Sequence, residues 1–170
     1  MSHSAASLAN LDLATLAERL GRLCREKGVT LTCAESCTGG GVASVVTSVA
    51  GSSDYFETGY VTYSNAAKVR LLGVPEALLD QHGAVSRETV EAMVMGACRD
   101  SGADLGVAVS GVAGPGGGSA DKPVGTVWLA WGDGKGAEAE CYRYPGDRRA
   151  VREQAVREAL VGVVQRLEER

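Results

Sequence analysis

Short apolar runs alternate with amphipathic segments along this chain, and the alternation limits the folds that the chain can adopt. Leucines recur at three- and four-residue spacing between Leu13 and Leu23, which predicts a helix. Residues 29–34 form a short apolar run, and a second helical pattern follows the glycines at 39–41. A strand, a polar turn and a helix in this order are typical of an α/β protein.

The rest of the chain continues this alternation and closes with a hairpin. Strands are predicted over residues 56–63, 104–110, 124–131 and 138–144, and helices are predicted to begin at Asn65, Pro75, Ser86 and Asp147. Asp133, Gly134, Lys135 and Gly136 give a strong turn signal between the last two strands. We therefore expect a three-layer α/β/α sandwich in which helices cover both faces of a mixed sheet.

A length of 170 residues fits one domain. We interpret residues 1–9 as a flexible leader and residues 10–170 as the domain, with Asn10 as the cap of its first helix. The leader lacks a basic segment followed by an apolar one, so it does not indicate a secretory signal. Residues 36–53 are uncharged, but they contain too much Gly, Ser and Thr to span a membrane. We expect a soluble, cytoplasmic protein without a membrane partner.

Charge and cysteine content exclude several classes of function. The formal net charge is −4, and glutamates largely offset the arginines of the C-terminal segment, which argues against a nucleic-acid-binding surface. The five cysteines form no CxxC pair and only two histidines are present, so neither a disulfide framework nor a metal site is indicated. We expect a reducing compartment, no cofactor and no metal.

Polar residues follow three of the predicted strands. They are Glu35, Ser36 and Thr38 after the first strand, Tyr63, Ser64, Asn65 and Lys68 after the second, and Ser110 with a glycine-rich segment after the third. The chain contains no P-loop, Rossmann fingerprint or nucleophile elbow. If these strands are parallel, the polar residues meet in a crevice at the carboxyl edge of the sheet.

Five ordered motifs in the chain resemble the CinA C-terminal domain family. They are AESCTGG at 34–40, YSNAAK at 63–68 with LGV at 72–74, HGAVS at 82–86, SGVAGPGG at 110–117 and KPVGTV at 122–127. The resemblance covers the chain from about residue 10 to the end, as in the stand-alone form of the domain. It implies deamidation of nicotinamide mononucleotide (NMN) to nicotinate mononucleotide and ammonia. We also expect a homo-oligomer.

The resemblance assigns Ser36 as the nucleophile and Lys68 and Tyr63 as its proton-handling partners. It implies substrate contacts from Glu35, Thr38, Gly39, Gly40, Asn65, Ser110, Gly111, Gly114, Gly116, Gly117 and Arg148. Ser110 stands where many relatives carry Thr, which leaves its role open. Arg148 is suited to the phosphate because a guanidinium binds it bidentately.

Elementary chemistry supports part of this assignment. An amide is a poor electrophile, so a hydroxyl must lose its proton to a base and the resulting oxyanion needs N–H donors. Ser36 lies just before a predicted helix. Lys68 lies in the first turn of another helix, where the positive field lowers its pKa towards that of a useful base. The glycines at 111–118 can present backbone donors to an anion.

Each of these residues also has a simpler interpretation. Ser36 fits a helix cap, Lys68 a solvated surface lysine, Tyr63 a half-buried strand residue, and Arg148 a surface salt bridge. The glycine-rich segment fits a mobile loop equally well. Cys37 is a rival nucleophile, since a helix terminus favours the thiolate, although packing is its simpler role. Ser64 is interpreted as a cap, and Glu35 as a residue that orients its neighbours.

Two classes of function therefore remain open. One is a metal-free serine amidohydrolase that acts on NMN. The other is a catalytically silent nucleotide-binding or interaction module that has kept the pocket. The presence of Ser36, Tyr63 and Lys68 together favours the enzyme.

Overall fold

The structure, a computed structural model, describes residues 5–170. The helices are α1 (Ala5–Leu8), α2 (Leu13–Lys27), α3 (Gly41–Thr47), α4 (Asn65–Leu72), α5 (Glu76–His82), α6 (Arg87–Ser101) and α7 (Arg148–Glu168). The strands are β1 (Leu31–Glu35), β2 (Phe56–Val61), β3 (Leu105–Gly111), β4 (Thr126–Gly132) and β5 (Ala137–Arg143). A 3₁₀ turn, Ser52–Asp54, precedes β2.

The five strands form one mixed sheet in the order β2-β1-β3-β4-β5. Strand β1 is parallel to both of its neighbours, with Glu35 opposite Val61 on one side and Val109 on the other. Strand β4 runs antiparallel to β3 and β5. Because β1, β2 and β3 run in the same direction, their carboxyl ends lie at one edge of the sheet.

Helices cover both faces of this sheet. Helices α2, α3 and α7 pack on the face that carries Val107 and Val109, and α6 with α4 packs on the face that carries Ala108 and Ala130. Two apolar cores result, one on each side of the sheet. The predicted three-layer α/β/α sandwich around a mixed sheet is confirmed.

The element order predicted from the sequence is also confirmed from α2 onwards. Ser64, Ser86 and Asp147 each accept a hydrogen bond from a backbone N–H of the helix that follows, as local capping signals predict. The cap of α2 differs, because Asp12 and not Asn10 accepts from the N–H of Thr15, at 2.7 Å. Asp12 directly precedes the helix, so its carboxylate reaches the third helical residue.

The predicted leader differs in part from the structure. Residues 1–4 lie outside the described residues, whereas Ala5–Leu8 form the short helix α1. The Leu8 side chain is fully buried among the residues of the α7 face. The chain before residue 10 therefore adds to the core of the domain. Within residues 5–170, no helix is both long and apolar enough to cross a membrane.

Candidate active site

A buried lysine and a serine meet at the carboxyl edge of the parallel strands. Ser36 directly follows β1, where its N–H donates to the carbonyl of Val109 at 2.9 Å. Lys68 projects from the first turn of α4, and its Nζ donates to Ser36 Oγ at 3.0 Å. Ser36 is 8% exposed and Lys68 is 1% exposed. Lys68 is therefore a core residue, and its interpretation as a solvated surface lysine is wrong.

Two carbonyl oxygens fix the direction of the Lys68 amine. Nζ donates to the carbonyl of Thr62 at 2.8 Å and to that of Tyr63 at 3.2 Å. As an ammonium, Lys68 has three N–H bonds and donates to both carbonyls and to Ser36 Oγ. A carbonyl oxygen can only accept, so the neutral amine would keep its two N–H bonds on the carbonyls and present its lone pair to Ser36 Oγ. The neutral form of Lys68 is thus oriented to take the hydroxyl proton.

Burial favours that neutral form. Loss of solvation lowers the pKa of Lys68 below its usual range, since a charged ammonium is poorly solvated in the interior. The direction agrees with the sequence expectation, but the principal cause is burial rather than the helix terminus. Among residues 5–170, no carboxylate lies within salt-bridge distance of Lys68 to offset this effect.

Burial shifts the pKa of the neighbouring cysteine upwards, in the direction opposite to the shift of Lys68. Cys37 is 6% exposed, and burial raises the pKa of its thiol to about 11. The helix terminus was expected to favour a thiolate, but loss of solvation outweighs it. Cys37 therefore stays protonated near neutral pH and packs with the α7-face core.

The Glu35 carboxylate holds the turn that carries Ser36. It is fully buried, and its Oε1 accepts from Thr38 Oγ1 at 2.6 Å and from the N–H of Val42 at 2.8 Å. Its Oε2 accepts from the N–H of Ala43 at 3.1 Å. Glu35 and Thr38, two of the predicted substrate contacts, are thus both buried and hydrogen-bonded to each other. The alternative interpretation of Glu35 as an orienting residue matches this geometry.

Tyr63 contributes its backbone, not its hydroxyl, to the Ser36–Lys68 pair. Its side chain is 61% exposed, and its hydroxyl accepts from Arg148 Nη2 at 3.0 Å. Arg148 Nη1 donates to the carbonyl of Gly114 at 2.8 Å. Arg148 thereby joins the end of β2 to the glycine-rich loop, and among residues 5–170 it forms no salt bridge with a carboxylate.

A cavity of about 260 Å³ is lined by Cys37, the residue that follows Ser36, but not by Ser36 or Lys68 themselves. Its lining contains six of the predicted site residues, namely Tyr63, Gly111, Gly114, Gly116, Gly117 and Arg148. Gly114 and Gly117 have φ values of +85° and +87°, which only glycine adopts readily. Cys37 and Val85 also line this cavity. The glycine-rich loop thus forms one wall of a pocket.

The other predicted contacts lie outside this lining. Gly39 and Gly40 shape the turn before α3 with φ values of +58° and +102°. Ser110 is buried within β3, opposite Trp128. Asn65 is an exposed residue of α4, while Ser64 caps that helix by accepting from the N–H of Ala67 at 3.0 Å. The interpretation of Ser64 as a cap is confirmed.

Three contributors to the site escaped sequence reasoning. Thr62 acts through its carbonyl oxygen, which any residue supplies, so no side-chain pattern marks it. Val85 lies in the HGAVS motif but resembles any apolar loop residue. Arg152 lies one helical turn after Arg148. This four-residue spacing is the sequence signal that could have identified it. Within residues 5–170 no group of three or more His, Cys, Asp or Glu residues could hold a metal ion.

The fold and the site together define a class, a three-layer α/β protein with a buried serine–lysine pair at the carboxyl edge of its parallel strands. The profile of the CinA C-terminal domain matches residues 13–167. The chain belongs to the CinA C-terminal domain family.

Similarity to named proteins and to a solved structure supports this membership. The nicotinamide-nucleotide amidohydrolase PncC of Pseudomonas putida is 61% identical over 90% of this chain and 96% of its own length. A CinA-like protein of Geobacter sulfurreducens is 56% identical over 81% of this chain, which spans only 33% of that longer protein. A CinA superfamily protein from Klebsiella pneumoniae has a crystal structure with a TM-score of 0.90 at 39% identity, covering 94% of this chain and 100% of that one.

Proposed function

We propose that this protein is a nicotinamide-nucleotide amidohydrolase, which converts NMN and water to nicotinate mononucleotide and ammonia. The observation that carries the proposal is the 3.0 Å hydrogen bond between the buried Lys68 Nζ and Ser36 Oγ. The identity of 61% to the Pseudomonas putida amidohydrolase over 90% of the chain supports the choice of substrate.

The first half-reaction uses Lys68 as the base. Its neutral amine takes the Ser36 hydroxyl proton while Oγ forms a bond to the amide carbon of NMN. The carbonyl oxygen becomes an oxyanion that backbone N–H groups stabilise. The C–N bond then breaks, and the amide nitrogen takes the proton from the Lys68 ammonium as ammonia leaves. An ester between Ser36 and the nicotinoyl group remains.

The second half-reaction repeats these steps with water. Lys68 is neutral again after ammonia leaves, so it can take a proton from a water molecule that attacks the ester. The ester C–O bond breaks and the proton returns to Ser36 Oγ. Nicotinate mononucleotide is the product, and the two residues recover their starting states.

Arg148 is suited to bind the phosphate of NMN. Its guanidinium has five N–H donors, of which two are used in the contacts with Gly114 and Tyr63. The remaining donors and the full positive charge can bind a phosphate beside the glycine-rich wall of the cavity. The substrate then spans from Ser36 to the first turn of α7.

Release of ammonia from NMN by the purified protein tests the proposal. We expect ammonia and nicotinate mononucleotide in equal amounts without added metal. A protein that binds NMN but releases no ammonia would be the silent binding module instead. Ser36→Ala is the matched control, since it removes only the hydroxyl that contacts Lys68 Nζ.

We further propose that the enzyme acts in the cytoplasm, as a homo-oligomer, in the recycling of pyridine nucleotides. Val61, Tyr63, Leu71 and Val124 are large apolar side chains that are between 39% and 61% exposed, and a second chain could cover apolar surface of this kind. Light scattering coupled to size-exclusion chromatography measures the oligomeric state. A mass equal to one chain across micromolar concentrations would contradict the assembly.

A further inference from the structure

A guanidinium holds the outer side of the turn that carries Ser36. Arg152 Nε donates to the carbonyl of Cys37 at 3.1 Å, and its Nη2 donates to the carbonyl of Thr38 at 3.3 Å. On the inner side, the buried Glu35 carboxylate accepts from Thr38 Oγ1. The turn is therefore fixed between a donor from α7 and an acceptor from β1.

Among residues 5–170, two of the backbone N–H groups that follow Ser36 have no acceptor in another residue. Within the described part of the chain, the N–H groups of Cys37 and Thr38 donate no hydrogen bond to another residue, whereas the N–H of Gly39 donates to the Ser36 carbonyl. In acyl transfer, the oxyanion requires N–H donors close to the nucleophile. The Thr38 N–H belongs to the same peptide unit as the Cys37 carbonyl that Arg152 binds.

Peptide geometry couples these two atoms. In a planar trans peptide, the C=O and N–H bonds point in opposite directions. Because Arg152 fixes the Cys37 carbonyl towards α7, it also fixes the Thr38 N–H away from α7. A charged donor on the carbonyl further polarises the peptide unit and strengthens the hydrogen bond that its N–H can give.

We propose that Arg152 is a positioning residue for the oxyanion, acting through the Cys37–Thr38 peptide unit. This inference rests on the amidohydrolase function proposed above. Arg152 forms no salt bridge within residues 5–170, whereas the neighbouring Arg149 pairs with Glu153 at 2.9 Å. The Arg152 guanidinium is thus directed to the turn, and Arg149 offers a matched control on the same helix.

Steady-state kinetics on NMN separate positioning from substrate binding. We expect Arg152→Met to lower kcat by about tenfold or more, because loss of a whole oxyanion donor costs about 10²–10³ in kcat, with KM within about twofold of the wild type. Arg152→Lys should recover part of the loss, because one ammonium can still bind one carbonyl. Arg149→Met should leave kcat and KM unchanged. A raised KM with unchanged kcat in Arg152→Met would overturn the inference and make Arg152 a phosphate contact.

A serine-reactive probe gives a readout that does not depend on NMN. When a fluorophosphonate labels Ser36, the Oγ–P bond forms, the P–F bond breaks and the serine proton passes to Lys68. Negative charge develops on the phosphoryl oxygen, so we expect slower labelling in Arg152→Met than in Arg149→Met, measured by mass spectrometry of the Ser36 peptide. Equal labelling rates, or no labelling of the wild type, would overturn the inference. Failure to release ammonia from NMN with Arg152-dependent labelling would instead reject the proposed substrate alone.

Discussion

The Nζ atom of Lys68 lies 3.0 Å from the Oγ atom of Ser36, although 32 residues separate them in the sequence. The contact depends on parallel pairing of β1 with β2, which brings the residues after both strands to the same edge of the sheet. The carbonyls of Thr62 and Tyr63 then leave one direction for the amine lone pair.

The first prediction distinguishes Ser36 from Cys37 as the nucleophile. We expect Ser36→Ala to abolish ammonia release and Cys37→Ala to retain it, because burial raises the pKa of the Cys37 thiol to about 11. Circular dichroism should show an unchanged fold in both variants. The reverse pattern of activity would replace the serine mechanism by a thiol mechanism.

The second prediction concerns the pH dependence set by Lys68. Its neutral form is the base, so the rate should rise with pH through the pKa of Lys68, which burial shifts below its usual range. Lys68→Met should lower kcat by about a hundredfold or more, the usual scale of general base catalysis, with little change in KM. The acidic limb of the kcat profile should disappear in this variant. A near-normal kcat would remove Lys68 from the mechanism.

The third prediction concerns Arg148 and its partner Tyr63. If Arg148 binds the phosphate equally in the ground and transition states, Arg148→Ala should raise KM with little change in kcat. Tyr63→Phe removes a hydroxyl that contacts Arg148, so we expect it to act mainly on KM as well. A kcat loss in Tyr63→Phe accompanied by an altered acidic limb would show that the Tyr63 hydroxyl carries a proton.

The fourth prediction tests the structural role of Glu35. Its buried carboxylate accepts from Thr38 Oγ1 and from two backbone N–H groups at the start of α3. We expect Glu35→Ala to lower the free energy of unfolding by about 3 kcal/mol, since it removes three hydrogen bonds that contribute about 1 kcal/mol each. The exposed Glu57 is the control, and Glu57→Ala should stay within about 0.5 kcal/mol. Urea unfolding measures both, and equal stabilities would contradict this role.

The fifth prediction concerns metals. The sequence offers no clustered set of His, Cys and carboxylate ligands, so we expect EDTA to leave the rate of ammonia release unchanged. Dialysed and untreated enzyme should give the same kcat. A loss of rate that one divalent ion restores specifically would contradict the serine–lysine mechanism.

Local signals determined the order of helices and strands in this chain. A cap such as Ser64 or Asp147 requires only that its side chain reach an N–H three residues away, and the glycines that end α4 and α6 require only a left-handed backbone. These contacts lie within one turn, so the sequence contains them completely. The motifs likewise predicted which strand ends would carry the site.

Tertiary packing decided what the predicted residues do. Whether Lys68 is buried depends on contacts between its helix and the ends of β1 and β2, and only the fold shows that its ammonium loses solvation. The same packing buried Glu35, turned the Tyr63 hydroxyl to Arg148, and brought Arg152 to the Ser36 turn from 114 residues away. The folded sheet sets which of these side chains are buried and which distant residues they bind. Residue type and local spacing do not specify which distant groups pack against a side chain and exclude water from it.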